Sequence, residues 1–488
     1  MTDQLAAPAY PAEPADLFVD LYDALPDHLF RTWEPTGWYD DPAVNRQAND
    51  ITEIVLDRGE LPPTLTAHLI AEHGDLGRFT LLLGLDGALA HANPYGPYHD
   101  TGALTEVLTN WTIDGRLNGP GSPGALLPRC AFPGRPRGLR SKAEFFGVHR
   151  IPPAEWEKID HIRLPAVNDP HFARERPVTV GCAPMLESFD DVEIEFERRH
   201  GMTVYRLRPV DSAALRGRIK TIIRRLDESG AQIAVMPEVA LSEAMLEQWK
   251  EEAFDTAGRD RERHPLRFLM LGTGPLGGGD PPPNRAVLID RWTGEELLVQ
   301  DKLSGFTLDA AQMRLWRLPG APRTGTAEEY AAPGSTIRVL DSSLGRLAVL
   351  ICEDISRTVG WERELQSCGV SHLLVPIFSK PIMEYRWEQQ AAERQVGSLG
   401  TWVTVANSLA IGRAIPESEL PGPRYTCLVA GPENLARTTY SMELQFGTAE
   451  TGDGIGLLKP GEDPPTLPRL YPGAAYDLWH DHWRPPPA

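Results

Sequence analysis

Runs of consecutive apolar residues, separated by polar segments, dominate the chain from about residue 178 onward. A strand that is covered on both faces has no polar side, so such runs predict buried strands. The predicted strands lie at residues 178–182, 233–236, 268–271, 286–289, 297–300, 336–340, 347–351, 372–375 and 401–406. Apolar residues at three- and four-residue intervals predict helices at 213–226 and 386–396.

Strands interleaved with helices favour an α/β fold, and one turn adds a second requirement. The turn Trp292-Thr293-Gly294-Glu295 joins two predicted strands, which indicates some antiparallel pairing. An α-β-β-α sandwich of two mixed sheets satisfies both observations. We expect it to occupy residues 175–445, followed by an irregular Gly- and Pro-rich tail at 446–488.

The first third of the chain has a different pattern. Residues 1–14 are rich in Ala and Pro and are expected to be disordered. Residues 15–170 are expected to form a separate N-terminal accessory region, either a domain or an extension wrapped over the sandwich. Within it we predict amphipathic helices at 18–25 and 49–58, an apolar stretch at 79–85 and a loop over 116–140.

Three reactive side chains follow predicted strands of the sandwich. Cys352 follows the strand at 347–351, Glu238 follows the strand at 233–236, and Lys302 follows the second strand of the hairpin. Open α/β sheets present reactive groups at the carboxyl ends of their strands. A thiol is mostly protonated at neutral pH, so a nucleophilic cysteine needs a nearby base or cation. The chain therefore carries candidates for a base, an oxyanion-stabilising amine and a nucleophile, with the Glu353 N–H as a second oxyanion donor.

The segments around these residues resemble the carbon–nitrogen hydrolase (nitrilase/amidase) superfamily. The matching pieces are "AVMPE", "NRAVLIDRWTGEELLVQDKLSGF", "GRLAVLICEDIS", "HLLVPIFSK" and "WVTVANS", in family order. The "CEDI" wording is most similar to the glutaminase-type amidase branch. The resemblance implies a nitrilase-like sandwich, with Glu238 as general base, Lys302 as oxyanion stabiliser and Cys352 as nucleophile. It also implies homo-oligomers and no cofactor or metal.

A second glutamate between the lysine and the cysteine occurs in many members of that superfamily. Gln312 lies near the corresponding position, and Glu328 and Glu329 are the other candidates. The sequence does not fix the register of this segment, so the role stays unassigned.

The resulting hypothesis is a hydrolase that cleaves a non-peptide carbon–nitrogen bond, in a linear amide, through a cysteine thioester. A nitrile substrate is an open alternative, as is transfer of the same acyl group to an amine or lipid acceptor. A third alternative is a catalytically degenerate scaffold that acts as a regulatory or partner-binding module.

The composition of the chain restricts the classes of partner that we expect it to bind. The formal net charge is −20, which argues against nucleic acid and anionic membranes because there is no basic field to attract phosphate. The short basic run at 135–142 is interrupted by Pro and Gly, so we interpret it as a solvated loop. No apolar run is long enough for a membrane span, and the expected partner is a small-molecule amide or nitrile. The five scattered cysteines predict free thiols and a cytoplasmic location; they are Cys130, Cys182, Cys352, Cys368 and Cys427.

One apparent nucleotide motif fails on its context. Residues 272–277 read Gly-Thr-Gly-Pro-Leu-Gly and follow a predicted strand. A dinucleotide fingerprint needs a helix next, and the following "GGDPPPN" cannot be helical. We therefore predict a loop there and no nucleotide cofactor.

Overall fold

The computed structural model of the protein describes residues 10–90, 124–127, 142, 145–163, 178–257, 265–342, 345–357, 361–432 and 442–459. Its helices are α1 (Pro14–Ala24), α2 (Glu34–Asp40), α3 (Pro42–Arg58), α4 (Pro63–His73), α5 (Asp75–Ala90), α6 (Pro153–Trp156), α7 (Ala213–Ser229), α8 (Glu243–Ala257), α9 (Ala310–Leu315), α10 (Glu353–Ser356), α11 (Glu362–Cys368), α12 (Trp387–Leu399) and α13 (Ala410–Ala414). Its strands are β1 (Ala125–Leu127), β2 (His149–Ile151), β3 (Ile159–Arg163), β4 (Val180–Cys182), β5 (Val192–Arg199), β6 (Met202–Pro209), β7 (Ile233–Val235), β8 (Phe268–Pro275), β9 (Asn284–Asp290), β10 (Glu295–Asp301), β11 (Thr307–Asp309), β12 (Thr326–Glu329), β13 (Ile337–Ser342), β14 (Gly345–Val349), β15 (His372–Ile377), β16 (Trp402–Asn407), β17 (Cys427–Pro432), β18 (Met442–Gly447) and β19 (Gly456–Leu458).

Two large mixed sheets form the centre of the molecule. The six-stranded sheet has the order β10-β9-β8-β7-β4-β19, and the seven-stranded sheet has the order β18-β17-β16-β15-β14-β13-β3. In the first sheet β4, β7 and β8 are parallel, and in the second β14, β15 and β16 are parallel. Antiparallel strands extend both groups, including the predicted hairpin of β9 and β10. Parallel central strands bring their carboxyl ends to one edge of each sheet.

Strand β7 illustrates why these strands read as continuous apolar runs. Ile233 and Val235 belong to the core between the two sheets, and Ala234 and Met236 belong to the core on the opposite face. Helix α7 covers that opposite face with its own buried residues, which are Leu215, Ile219, Ile222, Ile223 and Leu226. Successive side chains of a strand point to opposite faces, so a strand buried twice must be apolar throughout.

Helix α12 covers the outer face of the seven-stranded sheet. It packs against β16 and β17 and buries Ala391, Ala392 and Val396. With α7 outside the six-stranded sheet, this completes the order helix, sheet, sheet, helix. The predicted α-β-β-α sandwich is confirmed.

A four-stranded sheet with the order β11-β12-β6-β5 is an addition that the sequence did not predict. Strand β12 runs parallel to β6, with Glu329 opposite Tyr205, and β6 packs against β8. This sheet brings Tyr205 and Glu329 to the edge where the parallel strands end.

The N-terminal helices have a hydrophobic core of their own. Helix α5 packs against α1, α3 and α4, and its residues 79–89 are all buried. Aromatic rings cluster around it, among them Phe18, Phe30, Phe79, Phe145 and Phe146. The predicted helix at 49–58 falls within α3, and the one at 18–25 overlaps α1, which ends one residue earlier at Ala24. The apolar stretch at 79–85 is part of the central helix α5.

Two predicted boundaries differ from the described strands. Strand β3, inside the expected accessory region, pairs with β13 at the edge of the seven-stranded sheet. Strand β19 and the last two residues of β18 lie in the segment expected to be an irregular tail, and these strands pair with β4 and β17. Short strands at sheet edges need little apolar sequence, which is why their patterns were weak.

Several predictions fall on residues outside the described ranges. These include residues 1–9 of the segment expected to be disordered, most of the loop predicted at 116–140 and the tail predicted after residue 459. Among the described residues, none of the helices is both long and apolar enough to cross a lipid bilayer.

Candidate functional site

The strands β7 and β10 end at side chains that meet in space. Glu238 and Lys302 are each 3% exposed, and Lys302 Nζ lies 2.7 Å from Glu238 Oε1. The Cys352 thiol lies close enough to Glu238 and Lys302 for both charges to act on its pKa. The structure thus brings the three predicted residues together, across both sheets, from positions far apart in the sequence.

The backbone at Cys352 has an unusual conformation. Its φ is 52° and its ψ is −108°, in a region that residues with a Cβ rarely adopt. The Cys352 N–H donates to the carbonyl of Pro376 at 2.9 Å, which ties this turn to the end of β15. A sharp, strained turn between a strand and a helix lifts the side chain above the sheet edge, as nucleophile-bearing turns do.

Glu353 is the first residue of the short helix α10. An N–H at this position has no acceptor within its own helix. It follows the thiol directly in the chain, which is the position of the predicted second oxyanion donor. The geometry is therefore compatible with that prediction, which remains a prediction.

A second carboxylate completes the cluster. Glu329 Oε2 lies 2.6 Å from Lys302 Nζ and accepts the N–H of Phe306 at 3.0 Å. Gln312 instead caps helix α9, where its side chain accepts the N–H of Asp309, and Glu328 is exposed. Among the three candidates left open by the sequence, only Glu329 contacts Lys302.

In the structure, the side chains of β12 alternate and place this glutamate toward the site. Ala327 is buried and Glu328 is exposed, so Glu329 lies on the inward face with Ala327. The strand is only four residues long and follows a Pro- and Gly-rich segment, which is why the sequence read as a loop.

Asn284 is a site residue that the sequence analysis did not identify. Its side-chain Nδ2 donates to Glu238 Oε1 at 2.8 Å and to Glu329 Oε1 at 3.1 Å. The only available signal was its position at the start of the strand, two residues before the apolar run at 286–289.

The loop after β15 provides a backbone donor. The Phe378 N–H donates to Glu238 Oε2 at 3.1 Å. Asn407, in the "WVTVANS" segment, holds the next part of this loop: its Oδ1 accepts the Ser379 N–H at 3.1 Å and its Nδ2 donates to the Lys380 carbonyl at 2.7 Å. Asn407 therefore fixes the loop that carries the Phe378 N–H.

The charges of this cluster are unbalanced toward acid. Burial raises the pKa of Glu238 above its usual value, although Lys302 opposes this effect. Burial and the Glu238 carboxylate raise the pKa of the Cys352 thiol well above its ordinary range. Burial alone would lower the pKa of Lys302, but the Glu238 and Glu329 carboxylates raise it well above the usual value. Lys302 is therefore a fixed cation, and Cys352 rests as a thiol.

Asp354 connects the segments that carry Lys302 and Cys352. Its Oδ2 accepts the N–H of Leu303 at 3.0 Å and the N–H of Ile351 at 3.3 Å. Burial raises the pKa of Asp354 to about 6, although these N–H groups and Lys302 oppose the rise. This carboxyl group holds the end of β10 against the turn that follows β14.

The Gly-rich segment at 272–277 does not form a nucleotide-binding turn. Residues 272–275 continue strand β8, which runs to Pro275 and is followed by β9. The predicted loop is therefore partly strand, and the helix that a dinucleotide fingerprint needs does not follow it. Within the described ranges, no group of three or more His, Cys, Asp or Glu side chains is arranged to hold a metal ion.

Comparison with known proteins gives structural similarity alone. An amidase of the nitrilase superfamily from Nesterenkonia AN1 is similar over 64% of this chain and 98% of its own, with 15% identity and a TM-score of 0.33. Nit3 of Saccharomyces cerevisiae, from the same superfamily, is similar over 64% of this chain and 95% of its own, with 13% identity and a TM-score of 0.33. A glutamine-dependent NAD(+) synthetase from Cytophaga hutchinsonii is similar over 58% of this chain and 42% of its own, with 11% identity and a TM-score of 0.32.

No protein-family model matches the chain, and no curated protein matches it either. Because the identities and TM-scores of the solved structures are low, the description of the fold rests on the sheets and helices of this chain.

Proposed function

We propose that the protein is a thiol-dependent hydrolase that cleaves the carbon–nitrogen bond of a non-peptide, linear carboxamide. The observation that carries this proposal is the placement of the Cys352 thiol beside the Glu238–Lys302 ion pair, close enough for both charges to act on the pKa of the thiol. A base, a nucleophile and an oxyanion-stabilising cation within one buried cluster are the groups that acyl transfer needs.

Acylation begins with transfer of the thiol proton to Glu238, as the sulfur of Cys352 attacks the carbonyl carbon. The Lys302 ammonium and the Glu353 N–H stabilise the negative oxygen that forms. Collapse of this intermediate breaks the carbon–nitrogen bond, and the protonated Glu238 gives its proton to the departing amine. Ammonia or an amine leaves, and the acyl group remains as a thioester on Cys352.

Deacylation repeats these steps with water as the nucleophile. Glu238, again a carboxylate, removes a proton from water, which attacks the thioester carbon. The carbon–sulfur bond then breaks, the thiol regains its proton, and a carboxylic acid is released. A thiol with a raised pKa suits this cycle, because the general base has to take the proton during the attack.

The test is ammonia release from a panel of carboxamides and nitriles, with wild-type protein and the Cys352→Ala variant. We expect turnover of at least one carboxamide by wild type, complete loss in Cys352→Ala, and a similar unfolding temperature for both. Acid quenching during turnover should also leave the acyl mass on the peptide that contains Cys352.

Two results would contradict the proposal. Wild-type rates in Cys352→Ala would mean that another residue is the nucleophile. Absence of turnover and of acyl-enzyme across the whole panel would favour a non-catalytic scaffold.

A further inference from the structure

Asn284 occupies a protected position beside Lys302. It is the first residue of β9, only 2% of its surface is exposed, and its carbonyl accepts the Lys302 N–H at 2.8 Å. This cross-strand bond belongs to the sheet and needs no particular side chain. The choice of an amide at position 284 therefore needs a separate explanation.

The Asn284 amide and the Lys302 ammonium both bridge the same two carboxylates. Nδ2 of Asn284 lies 2.8 Å from Glu238 Oε1 and 3.1 Å from Glu329 Oε1. Nζ of Lys302 lies 2.7 Å from Glu238 Oε1 and 2.6 Å from Glu329 Oε2. The four side chains form a closed ring of two donors and two acceptors.

The ring makes the two oxygens of Glu238 unequal. Oε1 accepts from both Asn284 and Lys302, whereas Oε2 accepts the Phe378 N–H at 3.1 Å. A carboxylate oxygen has two lone pairs, so Oε1 is saturated and Oε2 retains one for the thiol proton. Both oxygens of Glu329 already accept hydrogen bonds within the ring.

The orientation of the amide supports this assignment. Among the described residues, the buried Oδ1 of Asn284 has no hydrogen-bond partner. Turning the amide would place this oxygen against two carboxylates, whereas the present orientation gives each carboxylate an N–H donor. A buried unpaired acceptor is costly, so the two donated bonds must offset its desolvation.

We propose that Asn284 is a positioning residue that saturates Oε1 of Glu238 and so directs the Cys352 proton to Oε2. The inference rests on the proposed function, because it assigns an atom to the base of that mechanism. Asn284 touches neither the sulfur nor the substrate. It acts through Glu238, by favouring the ionised form of the base and by leaving the remaining lone pair of Oε2 as its open acceptor.

The experiment follows alkylation of Cys352 in the native protein by iodoacetamide as a function of pH, read by mass spectrometry of its peptide. The acidic limb of this rate reports protonation of the base that assists the thiol. Asn284→Ala removes a hydrogen bond from the ionised form of Glu238 and lets Glu329 repel it more. The limb should therefore move to higher pH, by about one pH unit or more.

Gln300→Ala is the matched control. Gln300 is a buried amide on the neighbouring strand β10, and it donates to the backbone carbonyls of Asp301 and Thr336. Its loss removes buried hydrogen bonds without touching either carboxylate, so the limb should stay in place. Asn284→Ser keeps one hydroxyl donor, should give an intermediate shift, and serves also if the alanine variant unfolds.

An unmoved limb in the Asn284 variants, or the same shift in Gln300→Ala, would overturn the inference. Alkylation needs no substrate, so this result is independent of the amide panel. A moved limb without any hydrolysis would contradict the proposed function and leave the role of Asn284 toward Glu238 intact.

Discussion

Two buried clusters of charged side chains lie at the two ends of strand β14, and they differ in their ratio of acidic to basic groups. Near the start of β14 lies the anchor cluster, in which Asp341 Oδ1 lies 2.6 Å from Arg346 Nε and Asp341 Oδ2 lies 3.0 Å from His161 Nε2. Beyond its end lies the site cluster, formed by Glu238, Lys302, Glu329 and Cys352. Both are withdrawn from water, so burial alone does not distinguish a structural cluster from a candidate active site.

The ratio of acids to bases distinguishes them. In the anchor cluster one carboxylate faces a guanidinium and an imidazole. Burial by itself would raise the pKa of Asp341, but Arg346 and His161 hold it far below its usual range. In the site cluster two carboxylates share one ammonium, and the pKa of Glu238 is raised. Asp341 is therefore held in its ionised form, whereas the raised pKa of Glu238 allows that carboxyl group to accept a proton and release it.

The backbone conformation also differs between the two clusters. Asp341 and Arg346 face each other as regular partners in the ladder of β13 and β14. Cys352 has a positive φ in a turn outside any ladder. Backbone strain of this kind is tolerated where a turn must present a reactive side chain. Regular strand pairing is sufficient where a side chain only holds two strands together.

The largest effect that we predict is on the anchor cluster. Arg346→Met leaves the Asp341 carboxylate buried with its main partner removed, which should lower the free energy of unfolding by about 3–5 kcal/mol. The turnover number of the folded fraction should be unchanged, because the cluster lies at the other end of β14. Urea unfolding and ammonia release at a temperature where the variant is folded measure the two quantities.

The control for this prediction is Arg338→Met, on the neighbouring strand β13. Arg338 also joins β3, through Asp160 at 3.0 Å, but both side chains are at least 36% exposed. An exposed pair of this kind is worth less than about 1 kcal/mol. If both variants lose the same stability, burial is not what makes the anchor cluster strong.

The second prediction concerns the cation of the site cluster. Lys302→Met keeps the packing volume but removes an oxyanion donor, so kcat should fall by roughly two to three orders of magnitude. The unfolding temperature should fall as well, because Glu238 and Glu329 stay buried without their cation. The folded fraction of Lys302→Met should nevertheless lose its turnover, whereas that of Arg346→Met should keep it. A near-normal rate would mean that Lys302 has no role in the mechanism, and it would remove the proposed functional difference between the two clusters.

The sequence predicted the sandwich and the three strand ends because both depend on local apolar runs. A doubly buried strand such as β7 leaves an unmistakable pattern, and the polar residue after it is conspicuous. Glu329 stayed open because β12 is too short to show alternation. Asn284 was missed because hydrogen bonds between distant side chains leave no periodic signal.

The anchor cluster was equally hidden in the sequence. His161 lies in a region whose fold was unassigned, and its contact with Asp341 depends on β3 pairing with β13. Apolar periodicity cannot reveal that an edge strand on one side of a predicted domain boundary pairs with a strand on the other side. The sequence therefore gives the framework, and the structure gives the charge ratio that separates the two clusters.

The smallest effect that we predict concerns Asp354, a further carboxyl group that lies beside the site cluster. Its raised pKa, about 6, means that the folded state favours the protonated form. The stability gained in this way is complete below the ordinary pKa of 3.8 and is lost as the pH rises through 6. Asp354→Asn cannot titrate, so wild type should lose roughly 2.5 kcal/mol relative to this variant between pH 4 and 7. Urea unfolding of both proteins across this range measures the difference, and a constant difference would mean that Asp354 is as fixed in charge as Asp341.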